Sequence, residues 1–367
     1  MKNYKFLISG GGTGGHIYPA ISIADELTKK FKHSQILFVG SNNRMEMKKV
    51  PEKGYEIRGL WISGVKRSLH YSNLLIPFKI LHSLIKSYII IRKYKPGFVI
   101  GTGGFASGPL VYVASKLNIP TLIQEQNSYA GLTNKILSKS VEFVCVSYKN
   151  MDKFFPRKKI FYLGNPVRKE ILKIEVSLKE SDKYFNIYRP GKVLLILGGS
   201  LGAKILNEFI SKNLLYFEKK GIQIIWQCGK LYYNIYKKHI SKNVKIFPFI
   251  NQMGKAYKSA DFIISRSGAS VISELCIVGK PVIFIPSPNL AEDHQTKNAL
   301  NIVKNKAALM VKEKDLNKLF FTAFNKIINN KNFVNELSKS IKLLAKPNAT
   351  FDIVKIIETR LNNGNRL

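Results

Sequence analysis

Four glycine-rich segments hold the residues best suited to chemistry: GGGTGGH at 10–16, GTGGFASGP at 101–109, GGSLGA at 198–203 and SRSGASVISE at 265–274. Each follows a short apolar run, which places it at the carboxyl end of a strand. Glycines in such a turn let a ligand approach the backbone closely. The helix behind the turn offers unpaired N–H groups and a partial positive charge, so a pyrophosphate is one natural guest. A tight strand-to-helix turn with no ligand is the structural alternative. Gly10, Gly12 and Gly15 spell G-x-G-x-x-G, but a nicotinamide dinucleotide also needs an acid after the second strand; Val39, Gly40 and Ser41 stand there instead. A Walker loop fails, because no Lys-Ser/Thr follows the glycines. His16, at the helix start, sits where the helix end favours a neutral imidazole that can accept a proton. A structural histidine bonded to its own loop is the competing reading.

Short apolar runs alternate with amphipathic stretches, which predicts an α/β protein with parallel sheets covered by helices. Strand candidates in the first half are Tyr4–Ser9, Gln35–Val39, Phe98–Ile100, Thr121–Ile123 and Glu142–Val146. Those in the second half are Val193–Leu197, Ile222–Trp226, Val244–Phe247, Phe262–Ile264 and Val282–Ile285. LISGGGTGGH (7–16) is echoed by LILGGSLGA (195–203), so two Rossmann-like domains are expected rather than one long sheet. The domains read as 1–164 and 165–345, with the boundary near GNPVR (164–168). A final helix candidate, roughly Thr350–Leu361, could by its pattern join either one. Several glycine turns at strand ends in two domains imply a cleft lined from both sides, suited to a ligand with a diphosphate in its middle.

Lys and Arg number 59 against 23 Asp and Glu, a formal net charge of +36. An anionic membrane or nucleic acid would suit that balance; so would compositional drift, since Lys, Asn, Ile, Phe and Tyr are all abundant. No nucleic-acid-binding motif is present, so no nucleic-acid partner is expected. Cys145, Cys228 and Cys276 are far apart and lack C-x-x-C spacing, which argues against zinc and a disulfide framework and suits a reducing compartment. No secretory leader and no membrane-spanning run are read.

The motifs GGGTGGHIYPA (10–20), GTGGFASGP (101–109), EQNSYAGLTNK (125–135), GNPVR (164–168), LGGSLGAKILN (197–207), SRSGASVISE (265–274) and DHQTKNA (293–299) span nearly the whole chain. In this order they resemble the UDP-N-acetylglucosamine:undecaprenyl-pyrophosphoryl-muramoylpentapeptide N-acetylglucosaminyltransferases, the MurG family. The resemblance implies a GT-B fold, two Rossmann-like domains facing across a cleft, with a C-terminal helix of about 346–367 returning to the first domain. It implies inverting transfer of N-acetylglucosamine from UDP-GlcNAc to the C4 hydroxyl of lipid I, giving lipid II for peptidoglycan. It also implies a peripheral location on the cytoplasmic face of the cell membrane.

Such a displacement needs a base for the acceptor hydroxyl and stabilisation of the departing diphosphate. The resemblance makes His16 the usual candidate for the base. Glu125, in IQEQN, is the rival, or else a buried carboxylate that braces Asn127 or a turn. No metal is expected, and no cofactor: helix dipole, loop amides and a basic side chain would hold the diphosphate, with Ser200 donating and Arg168 clamping. Arg168 could equally be a surface arginine at a helix start. Thr13, Gly14 and Gly15 would face the donor from the first domain. In the second, Ala269, Ser270, Val271, Ile272, Ser273 and Glu274 open a helix, and the Glu274 carboxylate would accept both ribose hydroxyls; a first-turn acid favoured by the dipole is the alternative. Ile250 would bond uracil through its backbone, or be a core isoleucine. Gln295 and Asn127 are amides suited to sugar hydroxyls and the acetamido group, or are capping residues.

Leu74–Ile91 is amphipathic: Leu74, Phe78, Leu81, Ile85 and Tyr88 recur at helical spacing. No Asp or Glu lies between Glu56 and Glu125, whereas Lys66, Arg67, Lys79, Lys86, Arg92, Lys93 and Lys95 do. The expectation is a helix packed on its sheet whose N-terminal end, Leu74, Leu75, Phe78 and Lys79, contacts an anionic membrane surface. Two other functions fit the same loops: a glycosyltransferase with a different acceptor, and a basic nucleotide-binding protein that binds UDP without turnover.

Overall fold

A computed structural model of the chain describes residues 3–64, 74–199, 201–289 and 291–363. It comprises two units, Met1–Arg168 with Lys346–Leu367, and Lys169–Ala345.

In the first unit the strands are β1 (Lys5–Ser9), β2 (Gln35–Ser41), β3 (Glu56–Leu60), β4 (Phe98–Gly101), β5 (Thr121–Glu125), β6 (Phe143–Val146) and β7 (Ile160–Tyr162). All pair in parallel, in the order β3-β2-β1-β4-β5-β6-β7. Phe6, Leu7, Ile8, Phe98, Val99 and Ile100 are wholly buried, as a parallel sheet covered on both faces requires. The order reverses between β1 and β4. That reversal makes the carboxyl edge of β1 and β4 the switch point of the sheet, the place where ligands bind in folds of this kind.

Helix Ala349–Asn363 closes this unit by lying against helix Gly14–Lys30. Ile353, Val354 and Ile357 join Ile17, Ala20, Ala24 and Leu27 in one core. Burying three such aliphatic side chains stabilises the contact by about 1.5–3 kcal/mol each. Ion pairs Lys30–Glu358 (2.9 Å) and Arg360–Glu142 (2.7 Å) fix the helix at its rim.

Helix Ile76–Tyr94 carries its apolar side chains on the outside. Leu74 is 76% exposed, Phe78 66%, Leu81 58% and Ile85 54%. The face turned inward consists of Ser83, Ser87, Ile90 and Ile91, small residues at the first two positions allowing close approach to the rest of the unit. The exposed apolar strip thus runs well past the N-terminal end on which the sequence reading centred, as far as Ile89. Lys79, grouped there with Leu74, Leu75 and Phe78, is half-buried. Its Nζ donates to Ser63 Oγ at 3.0 Å and lies 5.7 Å from the Trp61 ring. Lys66 and Arg67 lie outside the described residues. Among those described, no helix is long and apolar enough to cross a membrane.

The second unit repeats the winding with β8 (Lys192–Leu197), β9 (Ile222–Gln227), β10 (Val244–Phe247), β11 (Phe262–Ser265), β12 (Val282–Phe284) and β13 (Leu309–Met310). Its parallel order is β10-β9-β8-β11-β12-β13, so the reversal falls between β8 and β11. Phe209, Phe217, Trp226, Phe320 and Phe324 fill the core on one side of the sheet. Every strand read from the sequence is present, with ends shifted by a residue or two. β3, β7 and β13 were not anticipated.

Candidate active site

In the first unit the two glycine loops meet at the switch point. Gly11 N–H donates to Gly103 O at 3.3 Å. A Cβ on Gly104 (φ +88°) would stand 2.3 Å from Gly11 O, so neither loop admits a side chain at this crossing. Glu46, wholly buried and far from the loop in sequence, accepts from Gly12 N at 2.9 Å and Ser41 N at 2.9 Å. It anchors the first loop from 34 residues further along the chain. Thr13, exposed, and Gly14 and Gly15, partly buried, form the start of helix Gly14–Lys30. His16 N and Ile17 N donate to Thr13 O at 3.1 and 3.2 Å, and the Gly14 and Gly15 amides ahead of them form the edge that can receive an anion.

His16 lies in that first turn, partly buried. Its Nδ1 is 2.8 Å from Gln126 Oε1, and its backbone carbonyl accepts from Thr102 Oγ1 at 2.8 Å. Glu125 has a different setting. It is 1% exposed. One oxygen accepts from Asn127 N (3.0 Å) and Asn127 Nδ2 (3.2 Å), the other from Gly131 N (3.0 Å) and Asn134 Nδ2 (2.9 Å). Four donors occupy the lone pairs of this carboxylate, the geometry of a brace for the 126–131 turn. Asn127 is brought to the same edge by that brace. Arg168, half-buried, ends the first of the unit's two chain segments, a few residues beyond Asn165.

In the second unit the candidate residues all follow strand ends. Ser200 lies outside the described residues. Its neighbours Gly199 (φ +88°) and Gly202 (φ +85°) need positive φ, and a Cβ on Gly202 would stand 2.1 Å from Cys228 O. Gln227 ties three loops together: Nε2 donates to Gly199 O at 3.1 Å and Oε1 accepts from Ile250 N at 2.9 Å. The Ile250 side chain is 2% exposed, and its N–H is engaged by Gln227.

Ala269, Ser270, Val271, Ile272, Ser273 and Glu274 begin helix Ala269–Val278 after the β11 turn. Ser273 Oγ donates to Ala269 O at 3.1 Å, and Ser270 Oγ is buried with no partner. Glu274, 6% exposed, accepts from Tyr257 OH at 2.9 Å, a contact across 17 residues that no local pattern announces. Gln295 Oε1 accepts from Ser287 N at 2.9 Å, which turns its NH2 group away as a donor, and its backbone carbonyl receives Ser267 Oγ at 2.9 Å. Ala269–Glu274 and Gln295 are thereby joined through the β11 and β12 loops. Ile250 joins the Gly199 loop.

Two parallel units of this winding, each with glycine loops at its switch point, have the GT-B fold, and the chain's relatives give the class of enzyme built on it. Residues 6–146 match the glycosyltransferase family 28 N-terminal domain, and residues 193–352 match its C-terminal domain. The chain is 53% identical to the UDP-N-acetylglucosamine--N-acetylmuramyl-(pentapeptide) pyrophosphoryl-undecaprenol N-acetylglucosamine transferase of Flavobacterium psychrophilum, covering 98% of this chain and 100% of that one. It is 51% identical to the protein of that name from Christiangramia forsetii, over 99% of each. It belongs to the family of these transferases. Among solved structures it resembles Acinetobacter baumannii MurG with a TM-score of 0.75 at 30% identity, covering 98% of this chain and 100% of that one. The kitacinnamycin glycosyltransferase, at 14% identity and TM-score 0.74 over 98% and 100% of the two chains, shares the fold alone.

Proposed function

We propose that this chain transfers N-acetylglucosamine from UDP-GlcNAc to the C4 hydroxyl of lipid I, with inversion, at the cytoplasmic face of the cell membrane. The acceptor oxygen attacks the anomeric carbon, the bond from that carbon to the UDP oxygen breaks, and the acceptor proton passes to His16 Nε2. One observation carries the choice of base. His16 is gripped through Nδ1, which leaves Nε2 for chemistry, whereas both Glu125 oxygens are already filled by four donors.

Arg168, Ser200 and the first-turn amides behind Thr13, Gly14 and Gly15 supply positive potential for the diphosphate, with no metal or cofactor. Ile250 O accepts from uracil N3–H, Glu274 from the ribose hydroxyls, and Gln295 and Asn127 bond the sugar. The exposed strip from Leu74 through Phe78 to Ile89 lies in the lipid interface; the Lys residues around it suit any anionic surface, and the apolar side chains favour lipid over nucleic acid.

The test is incubation of the full chain with radiolabelled UDP-GlcNAc and a lipid I analogue. A labelled lipid product is expected, undiminished by chelator. Folded protein that binds UDP without forming product would refute the reading, and product lost on chelation and restored by a divalent cation would refute the metal-free diphosphate site.

A further inference from the structure

Gln126 stands between Glu125 and Asn127 in the chain, and its side chain reaches the His16 ring. It is 1% exposed. Its Nε2 is surrounded by acceptors: Thr102 O at 2.7 Å, Gln124 O at 3.1 Å and Gln124 Oε1 in still closer contact. An amide nitrogen belongs among oxygens, so the other end of the amide, Oε1, is the atom facing His16 Nδ1. Gln124 is oriented in the same sense. Its Nε2 donates to Asn165 Oδ1 at 2.9 Å, and Asn165 Nδ2 donates to Gln126 O at 3.1 Å. The amides thus run head to tail, each NH2 on the next oxygen, and the chain ends at the imidazole.

We infer that Gln126 is a positioning residue that holds His16 as the Nδ1–H tautomer, so that Nε2 presents a lone pair to the acceptor hydroxyl. The inference rests on the reading of His16 as the base. An acceptor at Nδ1 forces the proton there, and a neutral imidazole has only one. An amide does this without a full negative charge, so it orients the ring while adding little pull toward imidazolium. Gly103 (φ +98°) leaves room for the arrangement, since a Cβ there would stand 2.7 Å from His16 Nδ1.

The experiment is long-range ¹H–¹⁵N correlation of histidine-labelled full-length protein, with the His16 signal assigned by its loss in His16→Ala. The neutral ring should show the Nδ1–H pattern. In Gln126→Met the Nε2–H form should appear, with UDP affinity kept and kcat lower by roughly 10- to 100-fold, less than the roughly 10²–10⁴-fold that full loss of a general base costs. Gln126→Glu should keep the Nδ1–H form and move the acid limb of the kcat/KM profile to higher pH, because a carboxylate stabilises imidazolium. A merely structural glutamine would lower Tm without moving either readout. A wild-type spectrum of the Nε2–H form overturns the role of Gln126 with no variant needed. Full turnover in His16→Ala overturns the base reading instead, and the inference with it.

Discussion

Replacing Glu125 by glutamine separates a brace from a base. The parent carboxylate accepts from Asn127 N, Asn127 Nδ2, Gly131 N and Asn134 Nδ2 at 2.9–3.2 Å in a setting 1% exposed. Glutamine keeps the shape but turns one oxygen into a donor. Whichever way the amide is flipped, two of the four donors lose their acceptor and face an NH2 group. Hydrogen bonds to a charged partner are worth about 1.5–3 kcal/mol each, so losing two costs on the order of 3–6 kcal/mol. That is a large share of the roughly 5–15 kcal/mol that keeps a domain folded. At about 2–4 °C per kcal/mol for a unit of this size, the first-unit melting transition should fall by on the order of 10 °C. Scanning calorimetry reads the shift, and turnover assayed well below the lowered transition should recover much of the parent rate. A transition within about 1 °C of the parent, with turnover down more than about 100-fold, would refute the brace and return Glu125 to the chemistry.

Leu81→Glu with Ile85→Glu removes two exposed apolar side chains, each worth about 1.5–3 kcal/mol when buried, so co-sedimentation with phosphatidylglycerol vesicles should fall at least about 100-fold with UDP-GlcNAc affinity unchanged; undiminished binding refutes the lipid-facing strip. Gly12→Ala and Gly104→Ala both place a side chain at positive φ. Nothing lies within 4 Å of a Cβ at Gly12, while Gly11 O lies 2.3 Å from one at Gly104. Urea denaturation should show a loss of about 1–2 kcal/mol for the first, from the left-handed backbone alone, and a clearly larger one for the second. Equal losses would refute the loop crossing. Cys145, Cys228 and Cys276 are buried, and burial pushes the Cys228 thiol up to about 11 and Cys276 up to about 12. Ellman's reagent at about pH 8 should label none of them before unfolding, and rapid labelling of native protein would refute that packing.

The strands legible from the sequence include every interior strand of both sheets, because burial on two faces demands an unbroken apolar run. β3, β7 and β13 escaped notice, and all three lie at sheet edges. Three of the five residues of β3, Glu56, Arg58 and Gly59, are charged or small, and β7 and β13 are too short to show a period. The glycine loops could be read because their chemistry is local. Glu46 and Gln126 could not, because the contacts that bring them to the site, with Gly12 and His16, span 34 and 110 residues of chain. The periodicity of Ile76–Tyr94 announced an apolar strip without saying which way it points. The inward face is marked by serines, and pattern reading gives a small polar residue no weight as a packing surface.

The return of helix Ala349–Asn363 to the first unit sets a timetable for biosynthesis. Residues 1–168 leave the ribosome ahead of the second unit, yet the surface of Ile17, Ala20, Ala24 and Leu27 stays uncovered until residues 349–363 emerge. A nascent chain thus carries a sticky apolar seam throughout synthesis of the second unit, a natural hold for chaperones. A fragment ending at Arg168 would keep that seam permanently.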